Sequence, residues 1–165
     1  MSSHPRIGFI GAGNMASALA GGLLARGWPA ASLWLADPSA AQLAAHSGRG
    51  LRTTTDNAEL AAAVDVLVLC QGTVRYGRQE FTRDGWDQVV DINLNSVMDA
   101  ARAFHPALAE AKGRIIIVSS VAAFKSTIGT PAYAASKAGA ASLTKTLGEA
   151  WARDGIRVNG IAPGL

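Results

Sequence analysis

Short apolar runs alternate along the chain with segments of helical spacing and helix-capping residues. Arg6–Ile10 is an apolar run that breaks into glycines and predicts a buried strand. Asn14–Arg26 predicts a helix stopped by Gly27. Ser32–Ala36 predicts a second strand, Ser39–His46 a second helix, and Gly50–Thr53 a short third strand. Asn57–Ala63 predicts a short helix that Asp56 is placed to cap. Asp65–Cys70 predicts a fourth strand, and Asp84–Ala111 a helix in two pieces. Arg114–Ser119 predicts a fifth strand. Pro131–Arg153 predicts a long helix with proline in its permissive first turn and Gly155 beyond its end, and Ile156–Ile161 a sixth strand.

Strands that are apolar throughout need cover on both faces, and the intervening helices supply it. This is the pattern of a parallel sheet built from βαβ units. Six strands in this sequence predict a three-layer α/β doubly wound fold with strand order 3-2-1-4-5-6, formed by residues 1–165 as one Rossmann domain. With 165 residues, 49% hydrophobic, and a net charge of only +3, the chain excludes intrinsic disorder. One cysteine, Cys70, excludes a disulfide scaffold. The apolar runs are strand-length, which argues against a membrane span, and no signal peptide is visible, so a cytoplasmic location is expected. An isoelectric point near 9.4 suits anionic ligands but is too weak to imply nucleic acid.

Gly11-Ala12-Gly13-Asn14-Met15-Ala16 follows a strand and opens a helix. Gly11 permits a tight turn, Gly13 permits close approach of a pyrophosphate, and Ala16 sits where helix and strand pack closely. The free N–H groups about Asn14 and Met15 then face the phosphates with the positive end of the helix dipole. Asp37 ends the second strand, where an acidic residue meets an adenosine ribose and favours NAD over NADP. It is equally placed to cap the helix that follows, so the choice between NAD and NADP stays open. The segments IGFIGAGNMASALAGGLLARG, LADP, TTTDNAEL and DVLVLC resemble the start of pyrroline-5-carboxylate reductase over residues 1–70. The resemblance implies a nicotinamide-binding half-domain. The Val-Lys-Pro segment and helical dimerisation domain of that family are not in the sequence.

Tyr133 and Lys137 are four residues apart on a predicted helix and share one face. An ammonium beside a phenol favours the phenolate and readies the hydroxyl to exchange a proton with a substrate oxygen. Ser120 ends the fifth strand, at the carboxyl-end crevice where such sheets bind ligands. The segments DGWDQVVDINLNSV, RIIIVSS and PAYAASKAGAASLTKTLGEAWARDGIRVNGIAPG resemble the short-chain dehydrogenase/reductase family over residues 72–165. That resemblance makes Tyr133 the acid/base and Lys137 the residue that tunes it and holds the nicotinamide ribose. Ser120 positions the substrate oxygen, and Asn93 completes the tetrad and supports a proton-relay water. Gly72, Pro163 and Gly164 fall at family positions beside the cofactor. The family's glycine pattern after the first strand is replaced by GAGNMA, and its Asn-Asn-Ala-Gly by Leu69, Cys70, Gln71 and Gly72. The given sequence reaches Leu165 without the family's substrate-covering segment or seventh strand.

Residues 1–70 hold four Arg, no Lys and four acidic residues, whereas residues 71–165 hold seven Arg, four Lys and eight acidic residues. This shift falls where the two resemblances meet, at Cys70–Gln71. The chain reads as an engineered chimera of two Rossmann half-domains that binds a nicotinamide dinucleotide with little or no turnover. The alternative is a minimal oxidoreductase acting on a carbonyl or alcohol. A monomer or a homodimer is expected. No metal site is expected, because His4, His46 and His105 lack partners at ligand spacing. His46 is expected on a solvated helix face, Cys70 and the four tryptophans in packing roles, and Arg75, Arg78 and Arg83 on a solvated loop.

Overall fold

The computed structural model describes residues 4–164. Its centre is a six-stranded, all-parallel sheet in the order β3-β2-β1-β4-β5-β6. The strands are β1 (Ile7–Ile10), β2 (Leu33–Ala36), β3 (Arg52–Thr54), β4 (Val66–Leu69), β5 (Arg114–Val118) and β6 (Arg157–Ile161). The helices are α1 (Asn14–Ala25), α2 (Ala40–Ser47), α3 (Asn57–Ala61), α4 (Arg83–Val90), α5 (Ser96–Ala111) and α6 (Pro131–Ala150).

Alternation along the strands sends side chains to two cores. Phe9, Leu33, Leu35, Val66 and Val68 pack with Ala16 and Ala20 of α1 and Leu43 of α2. Ile10, Leu67, Leu69, Ile115 and Ile117 pack on the opposite face with Leu60 of α3, Phe104 and Leu108 of α5, and Leu147 of α6. β4 is therefore buried on both faces, and this is why it carries no polar position.

Local chemistry sets the helix ends. Asp56 caps α3 as expected, its Oδ1 accepting from the Ala58 N–H at 2.7 Å. Ser39 caps α2 and Thr82 caps α4. Lys112 closes α5 with a φ of 47°. The expected break in the long helix is a wide π turn, Asp91–Asn95, between α4 and α5. Such a turn re-aims the side chains it carries.

Three expectations are corrected. Strand β3 begins at Arg52 rather than Gly50, because Gly50 occupies a turn at φ 75°. Helix α6 ends at Ala150, and Ala152–Asp154 tightens into a 3₁₀ turn before Gly155. His46 is not on a solvated face: it is 2% exposed and faces the loop after β1.

Candidate active site

The carboxyl ends of β1, β2 and β4 open onto a cleft of about 750 Å³ lined by Gly11, Gly13, Asp37, Gln71, Gly72 and Thr73, among others. Gly11 turns the chain out of β1 at φ 89°, and a Cβ there would stand 2.9 Å from the Gln71 backbone nitrogen. That position needs glycine for the fold itself. Gly13 differs. Its φ is −76°, and an added Cβ would meet nothing within 4 Å. The fold does not demand glycine there, so the missing side chain leaves room over the cleft.

Asn14 and Met15 begin α1 directly after Gly13, and no side chain caps that helix end. Its first-turn N–H groups therefore suit an anion. Asp37 does not cap α2, a role the Ser39 hydroxyl takes, and its carboxylate is engaged by main chain on both sides. Its Oδ1 accepts from the Ser39 N–H at 2.8 Å, and its Oδ2 accepts from the Ala12 N–H at 2.9 Å, while the residue lines the cleft. The carboxylate thus ties the glycine loop to the start of α2.

The second cluster lies where β5 ends and α6 begins. Lys137 is 5% exposed, and its Nζ donates to the Val118 carbonyl at 2.9 Å. It stands 5.9 Å from the centre of the Tyr133 ring. Burial holds the ammonium below its ordinary pKa range, and the nearby Cys70 sulfur opposes that shift. Burial also pushes the Cys70 thiol up to about 12, so the sulfur is a neutral packing group at pH 7. Ser120 is 9% exposed, and its hydroxyl accepts from the Ala122 N–H at 3.1 Å, which leaves its own proton free to donate.

Asn93 lies in the π turn and is fully buried. Its Oδ1 accepts from the Thr73 N–H at 2.7 Å. Its Nδ2 donates to the Thr73 carbonyl at 2.9 Å and to the Ser136 hydroxyl at 3.1 Å. The side chain is committed to clamping the segment after β4 onto the Tyr133–Lys137 helix. Gly72 joins the two clusters, since a Cβ there would lie 3.2 Å from Lys137 Nζ and 3.6 Å from Asn93 Oδ1. Pro163 accepts from the Val121 N–H at 3.0 Å through its carbonyl, and a Cβ on Gly164 would stand 2.6 Å from the Val121 side chain. Both follow β6 beside the Ser120 turn.

Several residues of the site escape sequence reasoning. Thr73 and Ser136 are read only through Asn93. Gln71 follows the junction directly, and both polar atoms of its side chain are buried without a hydrogen-bond partner among the described residues. Each such atom costs about 1–3 kcal/mol. Arg78 and Arg83 are exposed, as expected, Arg83 pairing with Asp87 on the surface, whereas Arg75 is half-buried and donates to Gln88. Among the described residues no cluster of three metal-ligating side chains exists, and no helix is long and apolar enough to cross a membrane.

Two family models match. The model described as short chain dehydrogenase covers residues 44–165, and one described as NADP oxidoreductase, coenzyme F420-dependent, covers residues 6–76. The 2-dehydro-3-deoxy-D-gluconate 5-dehydrogenase of Bacillus subtilis is 39% identical over 103 residues, 61% of this chain and 41% of that protein. The acetoacetyl-CoA reductase of an Acinetobacter species is also 39% identical over 103 residues, 61% of this chain and 42% of the relative. The chain therefore spans about two fifths of the length of these curated relatives.

Among solved structures, an oxidoreductase of the short chain dehydrogenase/reductase family from Burkholderia thailandensis superposes with a TM-score of 0.82 at 32% identity, over 99% of this chain and 70% of that one. A structure from Agrobacterium tumefaciens, assigned as a 2-deoxy-D-gluconate 3-dehydrogenase with bound NADP, gives a TM-score of 0.73 at 31% identity, over 96% of this chain and 71% of that one. These likenesses support use of a nicotinamide dinucleotide, NAD or NADP. With a parallel sheet in the order 3-2-1-4-5-6 and a family match over residues 44–165, the chain belongs to the short chain dehydrogenase family.

Proposed function

We propose that this chain is an NAD(P)-dependent oxidoreductase that interconverts a carbonyl and an alcohol, with Ser120, Tyr133, Lys137 and Asn93 as its working residues. One observation carries the reading. Gly72 lines the cleft that holds Gly11, Gly13 and Asp37, and a Cβ on it would lie 3.2 Å from Lys137 Nζ, so this wall of the cleft packs directly on the Tyr133–Lys137 helix. A dinucleotide held by its phosphates at the glycine loop and extending past Gly72 would come to the tetrad. The room over Gly13 and the uncapped start of α1, with Asn14 and Met15, fit a dinucleotide.

A bound nicotinamide supplies the hydride for reduction or accepts it in oxidation. The chain's own residues handle the proton and the orientation. The Ser120 hydroxyl donates a hydrogen bond to the substrate oxygen. Tyr133 gives its hydroxyl proton to that oxygen as it gains charge, and takes the proton back in the reverse direction. Lys137 keeps two donors after its bond to Val118, enough to hold a ribose hydroxyl and to stabilise the tyrosinate. Asn93 holds Thr73 and Ser136, fixing the cleft wall against the helix that bears Tyr133. Gly72, Pro163 and Gly164 would border the nicotinamide end and Asp37 would meet the adenosine ribose, with the choice between NAD and NADP open.

The same reading makes the chain a single Rossmann domain of composite origin, joined at Cys70–Gln71 by design. Its support is the pair of family models meeting over residues 44–76 and the unpartnered Gln71 carboxamide at the junction. That unpartnered group also favours a second reading, a scaffold that binds the dinucleotide without turnover.

Titration with NADH and NADPH by nicotinamide fluorescence, then assays with acetoacetyl-CoA and 2-dehydro-3-deoxy-D-gluconate, separate the two. The oxidoreductase reading expects turnover that Tyr133→Phe abolishes while NADH binding survives. Saturable binding with no turnover of any carbonyl probe supports the scaffold. Turnover that persists in Tyr133→Phe overturns the assignment of Tyr133.

A further inference from the structure

The carboxylate of Glu80 is 1% exposed, yet its two recorded hydrogen-bond partners are main-chain N–H groups. Its Oε1 accepts from the Arg75 N–H and its Oε2 from the Tyr133 N–H, each at 2.9 Å. Tyr133 is the third residue of α6, where first-turn N–H groups have no partner within the helix. The residue before the helix, Thr130, does not cap it with its side chain, and its carbonyl serves Ala134. The cap for Tyr133 comes instead from a loop 53 residues earlier in the chain.

We infer that Glu80 is a positioning residue for the acid/base Tyr133. The inference rests on the oxidoreductase reading of the preceding subsection and adds a residue that neither the tetrad nor the cofactor cleft includes. The geometry explains why a buried carboxylate is used. An anion at the start of α6 matches the helix dipole, and a charge-assisted bond to a main-chain N–H is stronger and shorter than a neutral one. The bond acts on the backbone of Tyr133, so it sets where the phenol begins without touching the phenol.

The rest of the network has the same sense. Asn93 fastens Thr73 to Ser136, three residues after Tyr133. Glu80 fastens the Arg75 end of the same loop to Tyr133 itself. The loop between β4 and α4 is thus stitched to the first turns of α6 at two points, and the second of these points is the tyrosine. With Glu80 removed, the Tyr133 N–H loses its partner, while the Thr130–Ala134 bond, the Ser136 hydroxyl on the Tyr133 carbonyl and the Asn93–Ser136 clamp remain. Near-attack geometry is steep, with about 1 Å of misplacement costing up to about a hundredfold in rate.

The test compares wild type, Glu80→Gln and Glu80→Ala. Glu80→Gln keeps the shape and one acceptor, so it remains informative if Glu80→Ala does not fold. Three quantities are measured: exchange of the Tyr133 amide proton in the free protein, the NADH dissociation constant, and kcat and KM with acetoacetyl-CoA. In Glu80→Gln the expected result is faster exchange at Tyr133 and kcat lower by about tenfold, with KM and NADH affinity unchanged within about twofold. Glu80→Ala, if folded, shows the larger effect.

A lower melting temperature with kcat unchanged overturns the inference and leaves Glu80 as a stability residue. Unchanged exchange at Tyr133 overturns it as well. If wild type turns over no carbonyl probe while exchange at Tyr133 still quickens in Glu80→Gln, the clamp on Tyr133 is supported and the oxidoreductase reading fails.

Discussion

His46 reaches from α2 to the glycine loop, its Nε2 lying 2.9 Å from the Ala12 carbonyl oxygen and 3.2 Å from the Ser17 hydroxyl. The carbonyl only accepts, so Nε2 carries the proton in the tautomer that makes this bond. Nδ1 is then an acceptor, buried without a partner among the described residues. The loop that would hold phosphates is thus pinned from both sides, by His46 at the Ala12 carbonyl and by Asp37 at the Ala12 N–H. His46→Leu leaves the carbonyl without its buried donor. It is expected to lower unfolding free energy by about 1–3 kcal/mol in a urea melt. It is also expected to weaken NADH binding, because the loop it orders is the one proposed to hold the dinucleotide.

Gly11 and Gly13 lie two residues apart and respond differently to the same substitution. Gly11→Ala places a Cβ against the Gln71 backbone at a φ that non-glycine residues avoid, so it strains the fold and lowers the melting temperature. Gly13→Val meets open space at an ordinary φ, so its melting temperature stays near that of wild type. Its NADH affinity is expected to fall by at least about tenfold, a loss of about 1.4 kcal/mol. Thermal melts beside fluorescence titrations separate the two effects. Equal losses of stability in both variants would remove the case for Gly13 as a ligand position.

Lys137 and Cys70 give the protein a pH signature. Burial lowers the Lys137 pKa, so between that lowered value and its unfolded value of about 10.4 the unfolded state binds more protons. Stability from this group therefore rises with pH across that window. Cys70 acts in the other direction. Its folded pKa of about 12 lies above the unfolded value, so its contribution is full at lower pH and declines as pH rises toward 12. Lys137→Met removes the rising component and also the charge that restrains the upward shift of Cys70, and both changes act in the same sense. In melts across the alkaline range, stability of the variant relative to wild type is expected to fall steadily with increasing pH up to about 10.4. A constant difference would show that Lys137 is not held below its ordinary range.

The central strands β1, β4 and β5 were legible because a sheet covered on both faces demands apolar runs, whereas the edge strands β3 and β6, Arg52–Thr54 and Arg157–Ile161, carry polar residues and were legible only from their place after a helix in the alternating pattern. The break near Asn93 was legible as two helical pieces, although the π turn itself has no residue signature. The buried polar groups were not legible. The imidazole of His46 reads as solvated because its acceptor is a main-chain carbonyl 34 residues away. Glu80 drew no reading at all from the sequence for the same reason, since both of its partners are main-chain N–H groups. Every backbone carries the same donors and acceptors, so spacing cannot mark which of them a side chain will meet. Asp37 shows the intermediate case: the Ser39 bond is local and could be read, whereas the Ala12 bond depends on two strands lying side by side.

The two family matches overlap around β4, whose ladders run to β1 on one side and to β5 on the other. Across the second ladder, Val66 to Leu69 lie opposite Arg114 to Ile117, and every hydrogen bond there joins main chain to main chain. Such a border recognises pitch and polarity but is indifferent to ancestry. Sheets of this kind are accordingly interchangeable at their middle, where a foreign half needs only matching strand spacing and apolar side chains of fitting volume to dock. What such an exchange does not inherit is the fine polar fitting beneath the border. The Gln71 carboxamide directly beyond this ladder, buried without a partner among the described residues, is where such fitting is missing in this chain.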